Sequence, residues 1–240
     1  VVDDELSLAP DVVSAQLVSA ADPWLERRRH SWGASEIPAL LLAYDRREEE
    51  AASARRYHLD DSGMSRAGVP RIVARKAGLL AAKAGSRAMR SGAERERELI
   101  DRWSSAAGFD DVRLESAAPR EWYPLVDRHC HRLAATPDAW CRGPSGELII
   151  VEAKCTAGHH STCEWYWRVQ LQAQMGCMCA SAGVLVCGRG WVMGSDSEPV
   201  GWIVERDDAE IERIRAVAIK AWADVERLRE GADNEVHRYQ

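Results

Sequence analysis

Phenylalanine is nearly missing from this 240-residue chain: one Phe stands against ten Trp. Bulky aromatic burial must then come from indoles, which bring an N–H that needs a partner when buried. No apolar run approaches the ~20 residues that cross a bilayer as a helix. The opening Val1-Val2-Asp3-Asp4-Glu5 has neither the basic start nor the apolar core of a secretory signal. No membrane association is expected, and the expected location is cytoplasmic. The seven cysteines all fall between Cys130 and Cys187, without a CxxC pair. An odd, irregular set excludes a disulfide framework, and neither Cys177-x-Cys179 nor His159-His160-x-x-Cys163 has the spacing of a zinc site. Net positive charge is also missing. A formal charge of −6 argues against a protein that merely coats nucleic acid.

What is present suits one globular unit, with 46% apolar residues and charges interspersed among them. Residues 11–30 read as helix, with a second short start at Asp22-Pro23. Ser35 begins a further helix carrying Ile37, Leu40, Leu41 and Tyr44 at helical spacing. Segment 46–64 is polar and irregular. Residues 66–90 hold seven cations (Arg66, Arg71, Arg75, Lys76, Lys83, Arg87 and Arg90) and no carboxylate. That stretch reads either as a solvated helix face or as a phosphate-tracking surface. A helix runs from Gly92 to Ala107 and stops at Gly108. Strands are expected at 111–116, 122–127, 147–153, 183–187 and 200–205, with helices at 164–180 and 207–230. The fold class expected is α/β, a mixed central sheet flanked by helices. The N-terminal helices (11–45) and the basic helical segment (66–107) would pack on a core at 110–205.

The chemistry concentrates between Thr136 and Lys154. Four apolar residues, Leu148-Ile149-Ile150-Val151, end abruptly in Glu152-Ala153-Lys154. In a strand, Glu152 and Lys154 share one face while Ala153 takes the other. A carboxylate and an ammonium on one face after a buried strand either pair or serve a polar site. Asp138, at the end of a preceding hairpin arm and followed by a turn-like insert, can reach the same spot. Two carboxylates with a backbone carbonyl, that of Ala153, make a hard oxygen cage for Mg²⁺ or Mn²⁺. Lys154 would orient or help deprotonate an attacking water and neutralise developing charge. Glu152 and Lys154 could equally be a salt-bridged strand end.

Five motifs occur in one order: Trp24-x3-Arg28-x6-Ser35-Glu36; Gly92-x3-Glu96 with Trp103 and Gly108; Thr136-Pro137-Asp138; Glu152-Ala153-Lys154; and Tyr166-x3-Gln170-x-Gln172-x-x-Met175. This order resembles the YqaJ-type viral recombinase family, the lambda exonuclease family, of the PD-(D/E)XK nuclease superfamily. The likeness runs from about residue 20 to 190. One departure is that Ala139 and Trp140 follow Asp138 where the family has glycine.

The resemblance implies a restriction-endonuclease-like core. It implies that Glu96 helps bind metal from the side opposite Asp138, and that Gln170 contacts the metal site or the scissile nucleotide, with Gln172 as a weaker candidate. Arg28 and Ser35 would hold a terminal 5′-phosphate, with Arg27 or Arg29 as substitutes if the register slips. The implied activity is a 5′→3′ exonuclease on double-stranded DNA that leaves 3′ single-stranded tails for a partner annealing protein. A homo-oligomer, a trimeric ring, is implied by the same likeness. Rival readings are a RecB-like repair nuclease, an endonuclease on the same core, and an inactive DNA-binding module. Trp165 and Trp167 could stack on bases, though core packing is the expectation.

Overall fold

The structure is a computed structural model that describes residues 28–45, 71–80, 87–109, 111–114, 125–156, 162–189 and 198–238. The helix read over 11–30 up to residue 27, the 46–64 segment, Trp24, Arg27, Arg66 and Lys83 lie outside the described residues.

The architecture is built around β6 (Leu148–Thr156). Its side chains alternate between two covered faces, which is why an unbroken apolar run is tolerated there. Ile149, Val151 and Ala153 pack with Leu99, Ile100 and Trp103 of helix α3 (Arg87–Ala107). Ile150 packs on the opposite face with Trp167, Leu171 and Met175 of helix α4 (Trp165–Met178). Each such aliphatic side chain, fully buried, contributes roughly 1.5–3 kcal/mol.

The principal sheet has five strands in the order β2 (Arg113–Leu114), β5 (Ala139–Arg142), β6, β7 (Ala182–Arg189) and β8 (Val200–Glu205). β5 runs antiparallel to β6, from Ala139 opposite Val151 to Arg142 opposite Leu148. β7 runs parallel to β6, and parallel neighbours need a crossover. That crossover is α4. A three-stranded sheet joins β1 (Trp32–Gly33), β4 (Leu133–Ala135) and β3 (Leu125–Val126) in the order β1-β4-β3.

Helix α4 is buried between layers. Val169, Ala173 and Cys177 turn away from β6 into a third cluster. There they meet Trp32, Ile37 and Leu41, the last two from α1 (Ile37–Tyr44), and Ile214 and Trp222 from α5 (Asp208–Arg238). Val73 of α2 (Arg71–Lys76) belongs to the same cluster. Ten of the 14 residues of α4 are buried, so its Gln170, Gln172 and Gln174 have no solvent face to turn to and must find internal partners. Polar ties close the layers. The Trp32 indole donates to the Ala218 carbonyl at 2.9 Å. Arg215 donates to buried Asp127 from Nε at 3.1 Å and from a terminal nitrogen at 2.8 Å.

Several expected boundaries change. The helix expected at Ser35 begins at Ile37, after strand β1 and a 3-10 turn over Ala34–Glu36. Glu36 Oε2 accepts the Gly33 amide at 2.7 Å, so Glu36 and not Ser35 supplies the side chain at this helix entry. Of the strands expected at 111–116 and 122–127, the described residues carry Arg113–Leu114 and Leu125–Val126, and β6 runs three residues further than expected. The turn-like insert after Asp138 is strand β5. Asp138 therefore stands at the start of a hairpin arm, not its end. The last helix extends to Arg238.

Candidate active site

Register brings the acids together. Ala139 faces Val151 across the β5–β6 ladder, so the next step of the same ladder sets Asp138 opposite Glu152. Asp138 Oδ2 accepts the Ala153 amide hydrogen at 2.8 Å. In a strand the N–H and C=O of one residue point to the same side. The Ala153 carbonyl therefore opens toward Asp138, beyond the end of β5.

Glu152 is only 2% exposed and faces α4. Its Oε1 accepts from Lys154 Nζ at 2.5 Å and from the Gln170 amide. Its Oε2 accepts from Gln174 Nε2 at 2.7 Å. Glu96 sits half-buried on α3 and shares the electric field of Lys154 and Glu152.

The electrostatics record three acids around one cation. Burial first, then the charge of Glu152, hold the Asp138 carboxyl well above the ordinary carboxylate range, against the pull of Lys154 and the Ala153 amide. Burial raises Glu96 too, with Glu152 adding to it and Lys154 opposing. For Lys154, burial disfavours the ammonium, but Glu152, Asp138 and Glu96 outweigh it and hold the amine above its usual value. Asp138, Glu152 and Glu96 against Lys154 leave a formal excess of two negative charges.

That excess and an all-oxygen donor set are what a hard divalent cation requires. Asp138 Oδ1 and the Glu96 carboxylate have no hydrogen-bond partner among the described residues. Among the described residues no three carboxylate, imidazole or thiolate groups are already close enough to hold an ion. The residues fit such an ion in donor chemistry and charge.

The expected phosphate-holding residues gather elsewhere, at the entry to α1. The Arg28 guanidinium covers Gly33, where a Cβ would collide with it, and lies 4.0 Å from Glu36 Oε2. Lys76 Nζ donates to the Arg28 carbonyl at 2.6 Å and the Ser31 carbonyl at 2.8 Å, and reaches Glu36 at 3.3 Å. Burial lowers the Lys76 amine, with Glu36 opposing that shift. Ser35 is exposed beside them. The turn that carries it packs on α4, the helix that brings Gln170 to Glu152.

Gln172 occupies a different place from the one expected. Its amide donates to the Glu205 carbonyl at 2.7 Å and its oxygen accepts the Asp207 amide at 3.0 Å, fastening α4 to the β8–α5 junction. It points away from Glu152. Gln174 was missed, although its spacing of four from Gln170 puts both amides on one helical face. Lys76 was seen only as part of a charge run. Trp167 is core at 5% exposure, and Trp165 packs partly buried against the α1–α5 cluster.

No family model and no curated protein matches the sequence. The layered helices and mixed sheet match the α/β fold of alkaline and phage-related exonucleases. In particular, the chain superposes on the alkaline exonuclease LHK-Exo of Laribacter hongkongensis with a TM-score of 0.59 and 18% identity, covering 90% of this chain and 98% of that one. The complex of LHK-Exo with dAMP gives a TM-score of 0.60, 17% identity and the same coverage. A phage-related exonuclease of Haemophilus somnus 129PT gives 0.55 and 13%, over 84% of this chain and 96% of that one. Among the described residues no helix is long and apolar enough to cross a membrane.

Proposed function

We propose that this chain is a divalent-metal-dependent DNA exonuclease of the YqaJ type, hydrolysing one strand of duplex DNA from the 5′ end and leaving 3′ single-stranded tails. The observation that carries the reading is the meeting of Asp138, Glu152 and Lys154 at the β5–β6 ladder, with Gln170 on Glu152, in an exonuclease fold.

Asp138, Glu152, Glu96 and the Ala153 carbonyl are the groups that would hold Mg²⁺ or Mn²⁺. When bound, the ion supplies polarisation of the phosphodiester and stabilisation of the leaving oxygen. Lys154, kept cationic by its acidic neighbours, orients the attacking water and neutralises charge that develops on the phosphoryl oxygens. Gln170 fixes the Glu152 carboxylate by donating to it. Arg28 and Ser35 take the terminal 5′-phosphate, the guanidinium in a bidentate grip. Lys76, two hydrogen bonds deep in the same corner, holds the Arg28 backbone in place. The protein acts in the cytoplasm as a homo-oligomer, a trimeric ring around DNA, and passes its tails to a single-strand annealing protein.

A digestion assay tests this. Linear duplex with a 5′-phosphate should be degraded in Mg²⁺, more slowly without the phosphate, and not at all in EDTA. Covalently closed circles should survive. Rapid nicking of closed circles would instead point to an endonuclease.

A further inference from the structure

Gln174 has no part in the motifs that suggested nuclease chemistry, yet it holds one side of the central carboxylate. A carboxylate offers about four lone-pair sites, two on each oxygen. On Glu152, Oε1 takes two donors, Lys154 and Gln170, whereas Oε2 takes one, Gln174 at 2.7 Å. The remaining acceptor site is therefore on Oε2, and among the described residues the side chain that fixes Oε2 is Gln174.

The burial of Gln174 points the same way. It is 1% exposed, and its own Oε1 has no hydrogen-bond partner among the described residues. A buried, unpartnered amide oxygen costs about 1–3 kcal/mol, and a methionine or leucine here would avoid that cost. The hydrogen bond that the buried amide does make goes to Glu152. The helix phase agrees. Gln170 and Gln174, one turn apart, clamp the two oxygens of one carboxylate from a single face of α4.

We infer that Gln174 is a positioning residue that aims Glu152 Oε2, the oxygen with a free acceptor site, at the divalent ion. The inference rests on the metal-dependent reading of the site given above. Gln174 touches neither substrate nor ion. It sets the rotamer of the carboxylate and, together with Gln170, opposes capture of the whole group by Lys154. Losing it frees Glu152 to rotate toward the ammonium, so the ion loses a preset ligand.

The test is calorimetric titration of the full chain with Mn²⁺, paired with the Mg²⁺ concentration for half-maximal digestion. Thermal melting in EDTA serves as the fold control. Gln174→Leu and Gln174→Met, two apolar replacements of similar length, should each weaken Mn²⁺ binding about 10–100-fold. The half-maximal Mg²⁺ concentration should rise by the same factor, with digestion at saturating Mg²⁺ far less affected. Melting in EDTA should change little, because losing the orphan oxygen offsets losing the donor to Glu152 Oε2. Glu152→Gln is the reference. If it weakens Mn²⁺ binding while both Gln174 variants bind like the unaltered chain, the inference about Gln174 is overturned and the site reading stands. A lower melting point in EDTA with unchanged Mn²⁺ affinity would likewise reduce Gln174 to a structural role. Unchanged Mn²⁺ binding by Glu152→Gln would overturn the site reading itself, and this inference with it.

Discussion

Asp138 Oδ2 takes the Ala153 amide hydrogen at 2.8 Å, continuing the β5–β6 ladder one step past its last paired residues with a side chain in place of backbone. One carboxylate thus has two functions: it satisfies a strand that has outrun its neighbour, and it brings a second acid beside Glu152. The two can be separated by substitution.

Asp138→Asn keeps an oxygen for the Ala153 amide and removes only charge. Magnesium-dependent digestion should fall at least about a hundredfold, as for loss of a group that supports a metal. The metal-free protein should melt no lower, because the charge it loses is one that burial and Glu152 disfavour. Asp138→Ala also leaves the Ala153 N–H without an acceptor and should cost about 1–3 kcal/mol in denaturant titration. Equal stability of the two variants would contradict the structural role.

The raised carboxyls of Asp138 and Glu96 tie stability to pH. Between the ordinary carboxylate value and the raised one, the folded state binds more protons than the unfolded chain. Stability from these two groups is therefore present at low pH and lost as pH climbs through that window. In EDTA the melting temperature should fall across this range more steeply than that of a Glu96→Gln, Asp138→Asn double variant. Mg²⁺ should restore more stability at the higher pH, where it no longer competes with protons. Parallel curves for the two proteins would contradict the shared acidic field.

Arg28→Ala should remove the preference for phosphorylated 5′ ends. The expected signature is a KM for 5′-phosphorylated duplex raised about tenfold or more, with kcat on unphosphorylated ends little changed. Initial rates on the two substrates measure this. A uniform loss on both substrates would mean that Arg28 supports the fold near Gly33, not the DNA end.

The Asp127–Arg215 pair is structural. Asp127 is 2% exposed and also accepts the His129 and Cys130 amides at 2.8 and 2.9 Å, tying the β3–β4 turn to α5. Asp127→Ala leaves the Arg215 guanidinium facing a buried gap and should cost about 3–5 kcal/mol in urea unfolding. The surviving folded fraction should keep its metal affinity.

The β6 strand and its acid-lysine end were legible in the sequence, because four apolar residues followed by Glu152-Ala153-Lys154 leave little choice of face. β8 was expected at 200–205 and is found there, since Val200 to Glu205 is bounded by Pro199 and a charged run. β4 and β5 were not legible. Leu133–Ala135 is too short to show alternation, and Ala139–Arg142 becomes a strand only through its distant partners on β6. The same limit hid Gln174 and misplaced Gln172. A glutamine in a helix reads as a surface amide until both faces of that helix are known to be covered. Ser35 looked like a helix start because the side chain that caps the turn, Glu36, lies one residue on.

The most direct measurement is a crystal of the full chain soaked in Mn²⁺, with diffraction recorded for anomalous scattering. The result expected is one strong peak within coordination distance, about 2.0–2.6 Å, of Asp138, Glu152 and the Ala153 carbonyl, and no such peak in Asp138→Asn. An anomalous map empty at that position, or a peak held by other residues alone, would contradict the account.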